Sequence, residues 1–276
     1  MKFSALLSVY EKENHHYLKE SLDSILVNQS VVPDELIIVK DGPLTVQLDD
    51  VIDEYKERFS SIIKIISLPT NRGLGEALRI GLTECSFDIV ARMDSDDINH
   101  HLRFEKQLKV FENNPDIDLV GSYIAEFFDT PNDVKFIRKV PSDLKEIRTM
   151  AKRRNPINHV SVMFKKSSVL NSGSYQHLNF LEDYYLWIRM LSNGFKLINT
   201  DEVLVYVRTG ENMFKRRSNP VYIKSWFQLQ KEMLGYGLIN KLELIQNMIN
   251  IVIFIYTPPT IKRYLYKWIL RSNIVK

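Results

Sequence analysis

Four short apolar segments, separated by segments with helical periodicity, make up most of the first hundred residues and constrain the fold most strongly. The apolar segments lie at residues 3–9, 35–39, 62–68 and 87–93. After the first of them, Leu18, Leu22 and Ile25 recur with the spacing of one buried helix face. Strands that alternate with helices predict an α/β fold, in which a mostly parallel sheet carries helices on both faces.

Beyond residue 99 the predicted elements become shorter and more mixed. Helical periodicity predicts helices at 102–111 and 142–152 and a helix that opens at 182, and β-prone runs predict strands at 118–128, 159–164, 195–198 and 203–208. Pro131, Asn132 and Asp133 predict a hairpin turn that leads into 136–137. We expect a domain over 1–217, with halves at 1–99 and 100–217, and a helical extension at 218–276.

Composition is ordinary for a folded protein and excludes several classes of function. Of the 276 residues, 45% are hydrophobic and 26% are charged, which argues against disorder. A net charge of +3 with no nucleic-acid-binding motif gives no reason to expect a nucleic-acid partner. The one cysteine, Cys85, excludes a disulfide framework and is predicted to be a buried structural thiol rather than a nucleophile. A reducing compartment, the cytoplasm, fits this usage.

Three carboxylates follow the fourth apolar segment, at Asp94, Asp96 and Asp97. Open α/β sheets bind ligands at the carboxyl ends of their strands, where this cluster is predicted to lie. Carboxylates at this spacing repel one another, and their hard oxygen atoms suit Mg²⁺ or Mn²⁺. A cation held there would contact the oxygens of a phosphate or diphosphate. The alternative is a solvated acidic turn.

The last part of the chain is apolar, aromatic and basic, because no acidic residue follows Glu243. One predicted helical face consists of Ile261, Tyr264, Leu265, Trp268 and Ile269, and lysines and arginines occupy the rest. This pattern predicts a helix that lies on a membrane surface. A packing helix with a solvated basic face is the alternative. No apolar stretch approaches the ~20 residues that a transmembrane helix needs.

Six motifs occur in a characteristic order. They are Ser-Val-Tyr at 8–10, Lys-Asp-Gly-Pro at 40–43, Asn-Arg-Gly-Leu-Gly at 71–75, Asp-Ser-Asp-Asp at 94–97, Asn-His-Val-Ser at 158–161 and Leu-Glu-Asp-Tyr-Tyr at 181–185. Together they resemble the inverting family-two glycosyltransferases with a GT-A fold, especially bacterial enzymes that extend O-antigen or capsular saccharides. Lys40 and Pro43 depart from the pattern, because that family has an acid and a serine there.

The resemblance implies that a UDP-sugar binds to residues 1–99, the nucleotide-binding half. Ser8 and Tyr10 match positions near the uracil, and Asp41 matches the acid that accepts a hydrogen bond from the uracil N–H. A turn aspartate before a glycine is the alternative for Asp41. Arg72 is expected to contact the nucleotide or the diphosphate.

The same resemblance implies a metal site in the acidic cluster. Asp96 matches the metal-coordinating position, and Asp94 matches a position that faces the ribose and the metal, which is Mn²⁺ or Mg²⁺. Asp97 is expected to support these ligands from behind or to cap the next helix.

Residues 100–217 are then the acceptor-binding half. Asp183 matches the catalytic base, with Glu182 beside it in the substrate site, and His159 matches a position in the pocket for the transferred sugar and the acceptor. Arg208 and Arg216 match cations that meet the leaving diphosphate. Two acids in the first turn of a helix also complement the helix dipole, so a purely structural role is the alternative for the acidic pair.

The implied activity is transfer of galactose or glucose from a UDP-sugar to a hydroxyl of an N-acetylhexosamine on undecaprenyl diphosphate. The enzyme would act at the inner face of the cytoplasmic membrane, in one displacement that inverts the anomeric centre. One alternative is a catalytically silent sugar-nucleotide-binding or scaffold protein. The other is a sugar-nucleotidyltransferase, whose glycine-rich loop after the first strand is replaced here by residues 10–14, Tyr-Glu-Lys-Glu-Asn.

Overall fold

The computed structural model describes residues 1–209 and 220–257. The strands are β1 (Phe3–Val9), β2 (Glu35–Lys40), β3 (Ile63–Ser67), β4 (Ile89–Met93), β5 (Ile98–Asn99), β6 (Leu119–Phe127), β7 (Val134–Arg138), β8 (Met163–Lys165) and β9 (Leu197–Arg208). The helices are α1 (His15–Leu26), α2 (Val46–Arg58), α3 (Leu74–Glu84), α4 (Arg103–Asn113), α5 (Leu144–Ala151), α6 (Lys166–Asn171), α7 (Glu182–Ser192), α8 (Pro220–Gly235) and α9 (Lys241–Tyr256).

All of these strands join one sheet, in the order β3-β2-β1-β4-β8-β6-β9-β5, with β7 paired to β6. Strands β1 to β4 are parallel to one another. Strand β8 is antiparallel to both β4 and β6, so β6 and its parallel partner β9 run in the same direction as the first four. The predicted mostly parallel sheet is therefore confirmed, and antiparallel β5, β7 and β8 complete it.

Hydrophobic residues cover both faces of the sheet, because successive side chains of a buried strand point to opposite sides. Leu6 and Val39 belong to one core with α3 and α7, while Leu7 and Ile38 belong to a second core with α1, α2 and α4. The prediction of helices on both faces is confirmed. Cys85 is buried in the first core, and burial raises the pKa of its thiol to about 12, which fits the predicted structural role.

Three predicted segments have different boundaries in the structure. Residues 159–161 form one 3-10 turn, in which the Ser161 N–H donates to the Asn158 carbonyl at 2.9 Å, so the strand predicted at 159–164 is wrong and only β8 remains. The two strands predicted at 195–198 and 203–208 are one strand, β9. Its polar middle stays paired with β6 because register shifts near Tyr123 absorb the irregularity.

The helical extension is confirmed where the structure describes it, in α8 and α9. Trp226 and Leu229 of α8 and Ile255 of α9 join the core that holds α7. Among the described residues, no helix has both the length and the apolar composition needed to cross a membrane. The predicted basic amphipathic helix at 261–271 lies outside the described residues, as does Arg216.

Candidate active site

The register of the parallel strands places the candidate residues of the first half along one edge of the sheet. Val9 pairs with Lys40, and Leu7 pairs with Met93, so β1, β2 and β4 end side by side. Ser8 is the second-to-last residue of β1. Tyr10 directly follows the strand, and 41% of its surface is exposed. An exposed aromatic ring at this edge is available to stack on a flat ligand.

Asp41 holds the 71–75 segment against the end of β2 through two hydrogen bonds. Its Oδ1 accepts the Arg72 N–H at 2.7 Å and its Oδ2 accepts the Gly73 N–H at 3.0 Å. Gly42 has φ +89°, and a Cβ there would lie 2.7 Å from the Asn71 nitrogen, so the two segments approach too closely for a larger residue. The predicted residues Asp41 and Arg72 are therefore brought together, although through the Arg72 backbone.

The three carboxylates after β4 converge, with oxygen atoms within 4.8 Å of one another. Burial, together with the neighbouring charges of Asp94 and Glu13, raises the pKa of Asp96 to about 7. Burial and the charges of Asp94 and Asp96 raise the pKa of Asp97 well above its ordinary value. Packing three carboxylates this tightly is unfavourable in the absence of a cation. We call Asp41, Asp94, Asp96 and Asp97 the acidic edge.

Two arginines hold the acidic edge in place. The buried Arg92 guanidinium forms an ion pair with Asp94, while its Nε and Nη1 have no hydrogen-bond partner in the described part of the chain. The Arg208 N–H donates to Asp97 Oδ1 at 3.0 Å, and its guanidinium stacks 3.8 Å from the centre of the Tyr17 ring. Asp97 does not cap α4, whose N-cap is Leu102.

The chemistry of this cluster fits a divalent cation. Its oxygen atoms are hard ligands, and Asp97 Oδ2 is buried with no hydrogen-bond partner among residues 1–209 and 220–257. Asp94 and Asp96 are the first candidates for ligands, with Asp97 behind them. The predicted contact of Arg208 with a leaving diphosphate stays a prediction, because the guanidinium also donates to backbone oxygens of Asp96 and Asp129.

Asp183 lies in the first turn of α7 and is oriented by a neighbouring amide. Asn155 Nδ2 donates to Asp183 Oδ2 at 2.6 Å. Burial raises the pKa of Asp183 above its usual value, although the Tyr184 N–H, Asn155, Arg92 and Arg138 each oppose that rise. A carboxylate with a raised pKa and a fixed orientation is suited to accept a proton.

Glu182 and His159, the other two candidate residues of this half, contact different neighbours. The Glu182 side chain contacts Gly75, where an added Cβ would lie 3.1 Å from its Cγ, so the start of α7 touches the start of α3. His159 Nε2 lies 3.0 Å from the Tyr175 hydroxyl, and its ring packs edge-on against Trp187. Burial lowers the pKa of His159 well below its usual value, so its imidazole is neutral at physiological pH.

A cavity of about 370 Å³ opens beside Asp183. Its wall includes Asn155 and His159, and it also includes Arg138 and Arg154, which were not predicted as site residues. Arg92 was missed as well, although a charged residue inside an apolar strand two positions before Asp94 was a usable signal. Nothing in the sequence near Asn155, Arg138 or Arg154 marks them, because only the fold brings them to Asp183.

The sheet, its acidic edge and the carboxylate opening α7 define a GT-A glycosyltransferase. The model for "Glycosyl transferase family 2" matches residues 4–170, and the chain belongs to that family. The chain is 38% identical over 270 residues to an Escherichia coli UDP-Gal:alpha-D-GlcNAc-diphosphoundecaprenol beta-1,3-galactosyltransferase, covering 98% of this chain and 97% of that protein.

Two solved structures share the fold. Staphylococcus aureus TarS 1–349 in complex with UDP-GlcNAc gives a TM-score of 0.67 at 18% identity, covering 98% of this chain and 76% of that one. The mannosyltransferase PcManGT from Pyrobaculum calidifontis, in complex with GDP-Man and Mn²⁺, gives 0.64 at 12% identity, covering 97% and 79%. The GT-A fold predicted from the sequence is thus confirmed.

Proposed function

We propose that this glycosyltransferase moves galactose or glucose from a UDP-sugar to a hydroxyl of a lipid-linked N-acetylhexosamine diphosphate, with inversion, during the synthesis of O-antigen or a similar polysaccharide. The observation that carries the proposal is the position of Asp183. Its carboxylate is oriented by Asn155 in the wall of a cavity, and the charge of Arg92, which forms an ion pair with Asp94, also acts on it.

The UDP-sugar would bind along the acidic edge. Tyr10 would stack on the uracil, and Asp41 would accept its N–H, since each carboxylate oxygen can accept a second hydrogen bond. The Asn71 to Gly75 loop that Asp41 holds would lie against the nucleotide with Arg72. Two facts support this donor: the relative's name specifies UDP-Gal, and the fold neighbour TarS was solved with UDP-GlcNAc.

Asp94 and Asp96 would hold Mg²⁺ or Mn²⁺, with Asp97 supporting them. When bound, the cation would neutralise charge on the departing diphosphate. The raised pKa values of Asp96 and Asp97 support this assignment, because a cation would relieve the repulsion that raises them. The fold neighbour PcManGT was solved with Mn²⁺.

Asp183 would act as the general base. It would accept the proton of the acceptor hydroxyl while that oxygen attacks the anomeric carbon on the face opposite UDP. The bond to UDP breaks as the new glycosidic bond forms, so one displacement inverts the configuration. Orientation by Asn155 supplies much of the effect, because a correctly placed base needs little additional driving force.

The test compares UDP release by the wild-type protein, Asp183→Asn and Asp96→Ala, with a GlcNAc-diphosphate-lipid analogue, UDP-sugars, and Mn²⁺, Mg²⁺ or EDTA. We expect Asp183→Asn to lower acceptor-dependent release at least about 1000-fold, the order that loss of a general base produces. It should leave the affinity for UDP unchanged in calorimetric titration. Asp96→Ala should also weaken metal-dependent binding of UDP.

Acceptor-dependent UDP release that does not require Asp183 would contradict the proposed mechanism. UDP binding without release for any UDP-sugar or acceptor would favour the alternative of a silent sugar-nucleotide-binding or scaffold protein. A sugar-nucleotidyltransferase would instead produce diphosphate from a nucleoside triphosphate and a sugar phosphate. The same assay can follow diphosphate.

We further propose that residues 218–276, after the catalytic domain at 1–217, attach the enzyme to the inner face of the cytoplasmic membrane. The described part of this segment supports the idea, because α9 has an exposed apolar stripe that we call the α9 stripe. It consists of Leu242, Ile245, Ile249, Ile253 and Tyr256, each more than half exposed. Their spacing places them on one helical face. Basic residues follow at 262, 263, 267 and 271.

Vesicle flotation tests the α9 stripe. The triple variant Leu242→Gln, Ile249→Gln, Ile253→Gln should float less with vesicles that contain anionic lipid. Val46→Gln, which changes an equally exposed apolar residue on α2, is the matched control and should float like wild type. Equal flotation of all three proteins would remove the role assigned to the α9 stripe.

A further inference from the structure

Two guanidinium groups face the cavity beside Asp183, and neither has a salt-bridge partner in the part of the chain that the structure describes. Arg138, at the end of β7, and Arg154, after α5, both line it. Neither side chain forms a salt bridge or a hydrogen bond within residues 1–209 and 220–257. Burial and the charge of Arg138 lower the pKa of Arg154, and the charge of Arg138 also opposes the rise in the pKa of Asp183, so Arg138 lies close enough to interact with both.

Two like charges that share a partly buried cavity repel each other, and a bound anion removes that cost. Guanidinium forks match the oxygens of phosphate groups, to which they can donate two parallel hydrogen bonds. The lining of the cavity contains Asp183 but none of the four residues of the acidic edge. An anion bound there would therefore be separate from the diphosphate that the acidic edge would hold.

The cavity also has polar and aromatic features of a built binding site. Asn158 Oδ1 and Trp226 Nε1 are buried in residues that line it, and neither atom has a hydrogen-bond partner in the part of the chain that the structure describes. A polar ligand such as a sugar would satisfy them. Phe180 and Trp226 add aromatic surface, on which a sugar ring or the start of an alkyl chain can pack.

We propose that Arg138 and Arg154 bind the diphosphate of the lipid-linked acceptor, and that Asn158 and the aromatic residues of the same cavity receive its first sugar. The inference rests on the proposed function and deepens it, because it names the residues that distinguish a diphosphate-linked acceptor from a simple glycoside. With the acceptor anchored there, a sugar hydroxyl would lie at Asp183, in the same cavity wall.

The test uses two acceptors with the same alkyl chain, a GlcNAc-diphosphate-alkyl compound and an alkyl GlcNAc glycoside. The double variant Arg138→Gln, Arg154→Gln is compared with wild type and with Arg153→Gln. Arg153 is an exposed arginine next to Arg154 that does not line the cavity, so it is a matched control for lost charge. Assays are made on the plateau of the pH profile, because Arg138 also affects the pKa of Asp183.

We expect the double variant to raise KM for the diphosphate acceptor about 100-fold, since two charge-assisted contacts are lost. KM for the glycoside and for the UDP-sugar should stay within about twofold of wild type, an effect worth little free energy. Arg153→Gln should behave like wild type. An unchanged KM for the diphosphate acceptor overturns the inference, and so does an equal rise in KM for the UDP-sugar, which would assign the arginines to UDP.

A binding measurement separates failure of this inference from failure of the proposed function. If wild type transfers sugar to neither acceptor, calorimetric titration with the GlcNAc-diphosphate-alkyl compound still decides: binding by wild type that the double variant loses supports the inference. Absence of binding by wild type overturns it. Loss of flotation on anionic vesicles by the double variant, with acceptor binding intact, would assign the arginines to phospholipid headgroups and also overturn it.

Discussion

The acidic edge and the cavity beside Asp183 are built in opposite ways. The acidic edge consists of carboxylates that directly follow β2 and β4, two strands whose register with β1 fixes their ends together. The cavity takes its wall from β6, β7, β9, α7, α8, α9 and the segment after α5. The acidic edge is anionic and comes from two short segments, whereas the cavity is dispersed and carries two guanidinium groups that have no salt-bridge partner among residues 1–209 and 220–257.

The proposed function accounts for this difference. Under that proposal, the nucleotide diphosphate needs a cation, which clustered carboxylates would hold, while an acceptor with its own diphosphate would need cations from the protein. The two regions share one charged group, Arg92. It pairs with Asp94, and its charge lowers the pKa of Asp183 and of His159. Substitutions that affect one region, or both, therefore test whether they are separate.

Among the substitutions that test whether the two regions are separate, Arg92→Met should have the largest effect, because it removes the charge that both regions share. Asp94 loses its ion pair, and the pKa of Asp183 rises because a cation that lowers it is gone. The loss of a charge-assisted contact should reduce kcat/KM about 100-fold. The acidic limb of the pH profile should also move to higher pH. Steady-state kinetics over a pH series measures both changes.

Arg103→Met is the control for loss of a buried guanidinium. Arg103 bonds to Gln107 at 3.1 Å and to the Arg92 carbonyl at 2.8 Å, so its removal should lower the melting temperature. It should not move the acidic limb, because Arg103 does not act on Asp183. A wild-type pH profile for Arg92→Met would show that Arg92 serves the acidic edge alone.

A smaller effect, confined to the acidic edge, is expected from Asp41→Ala. Two backbone N–H groups, of Arg72 and Gly73, lose their acceptor, and the loop they belong to is released. We expect KM for the UDP-sugar to rise about 10-fold, which corresponds to about 1.4 kcal/mol. KM for the acceptor should not change. If both KM values rise together, the two regions are coupled through this loop and the comparison fails.

Asn155→Ala should affect only the cavity beside Asp183, because it changes the pKa of that carboxylate. The base must be deprotonated, so activity is lost as the pH falls through its raised pKa. The Asn155 hydrogen bond lowers that pKa, and removing it should therefore shift the acidic limb upward. A net hydrogen bond of about 1 kcal/mol predicts a shift of about 0.7 pH units. Asn171→Ala, at the end of α6, should not shift the limb.

A downward or absent shift for Asn155→Ala would mean that Asp183 is not the group whose protonation limits the rate. The same pH series should show KM for the UDP-sugar unaltered, because Asn155 lines the cavity and not the acidic edge. This readout distinguishes a positioning role from general damage, which would alter both substrates.

The same contrast explains what the sequence could predict. The parallel sheet, its helices and the acidic edge followed from local patterns, because apolar periodicity marks each strand and the register of parallel strands brings their ends together. Asp183 was predicted as the base because residues 181–185 resemble the family's Glu-Asp motif. Arg138 and Arg154 were missed because no local pattern connects β7 and the end of α5 to α7. The turn at 159–161 was missed because its side-chain and backbone bonds to Asn158 and Ser122 override a β-prone sequence.

The smallest effect on transfer is expected from two glycine substitutions, one near the acidic edge and one in a helix that lines the cavity. Gly81 of α3 lies against the sheet under the acidic edge, and a Cβ there would be 2.5 Å from Leu6 Cδ1 and 2.6 Å from Val39 Cγ2. Gly81→Ala should cost about 1–3 kcal/mol of unfolding free energy through overpacking. Gly235 ends α8, and a Cβ added there would have no neighbouring atom within 4 Å in residues 1–209 and 220–257. Gly235→Ala should therefore raise the free energy of unfolding by about 0.5–1 kcal/mol through helix propensity.

Chemical denaturation measures both changes, and transfer kinetics below the unfolding transition should match wild type within about twofold, since neither residue touches a ligand position. Equal destabilisation by both substitutions would mean that α8 is packed as tightly as the sheet core. A rise in KM for the acceptor with Gly235→Ala would mean that the C-terminal end of α8 must move for the acceptor to enter. That outcome would make the cavity a moving site and leave the acidic edge as the rigid one.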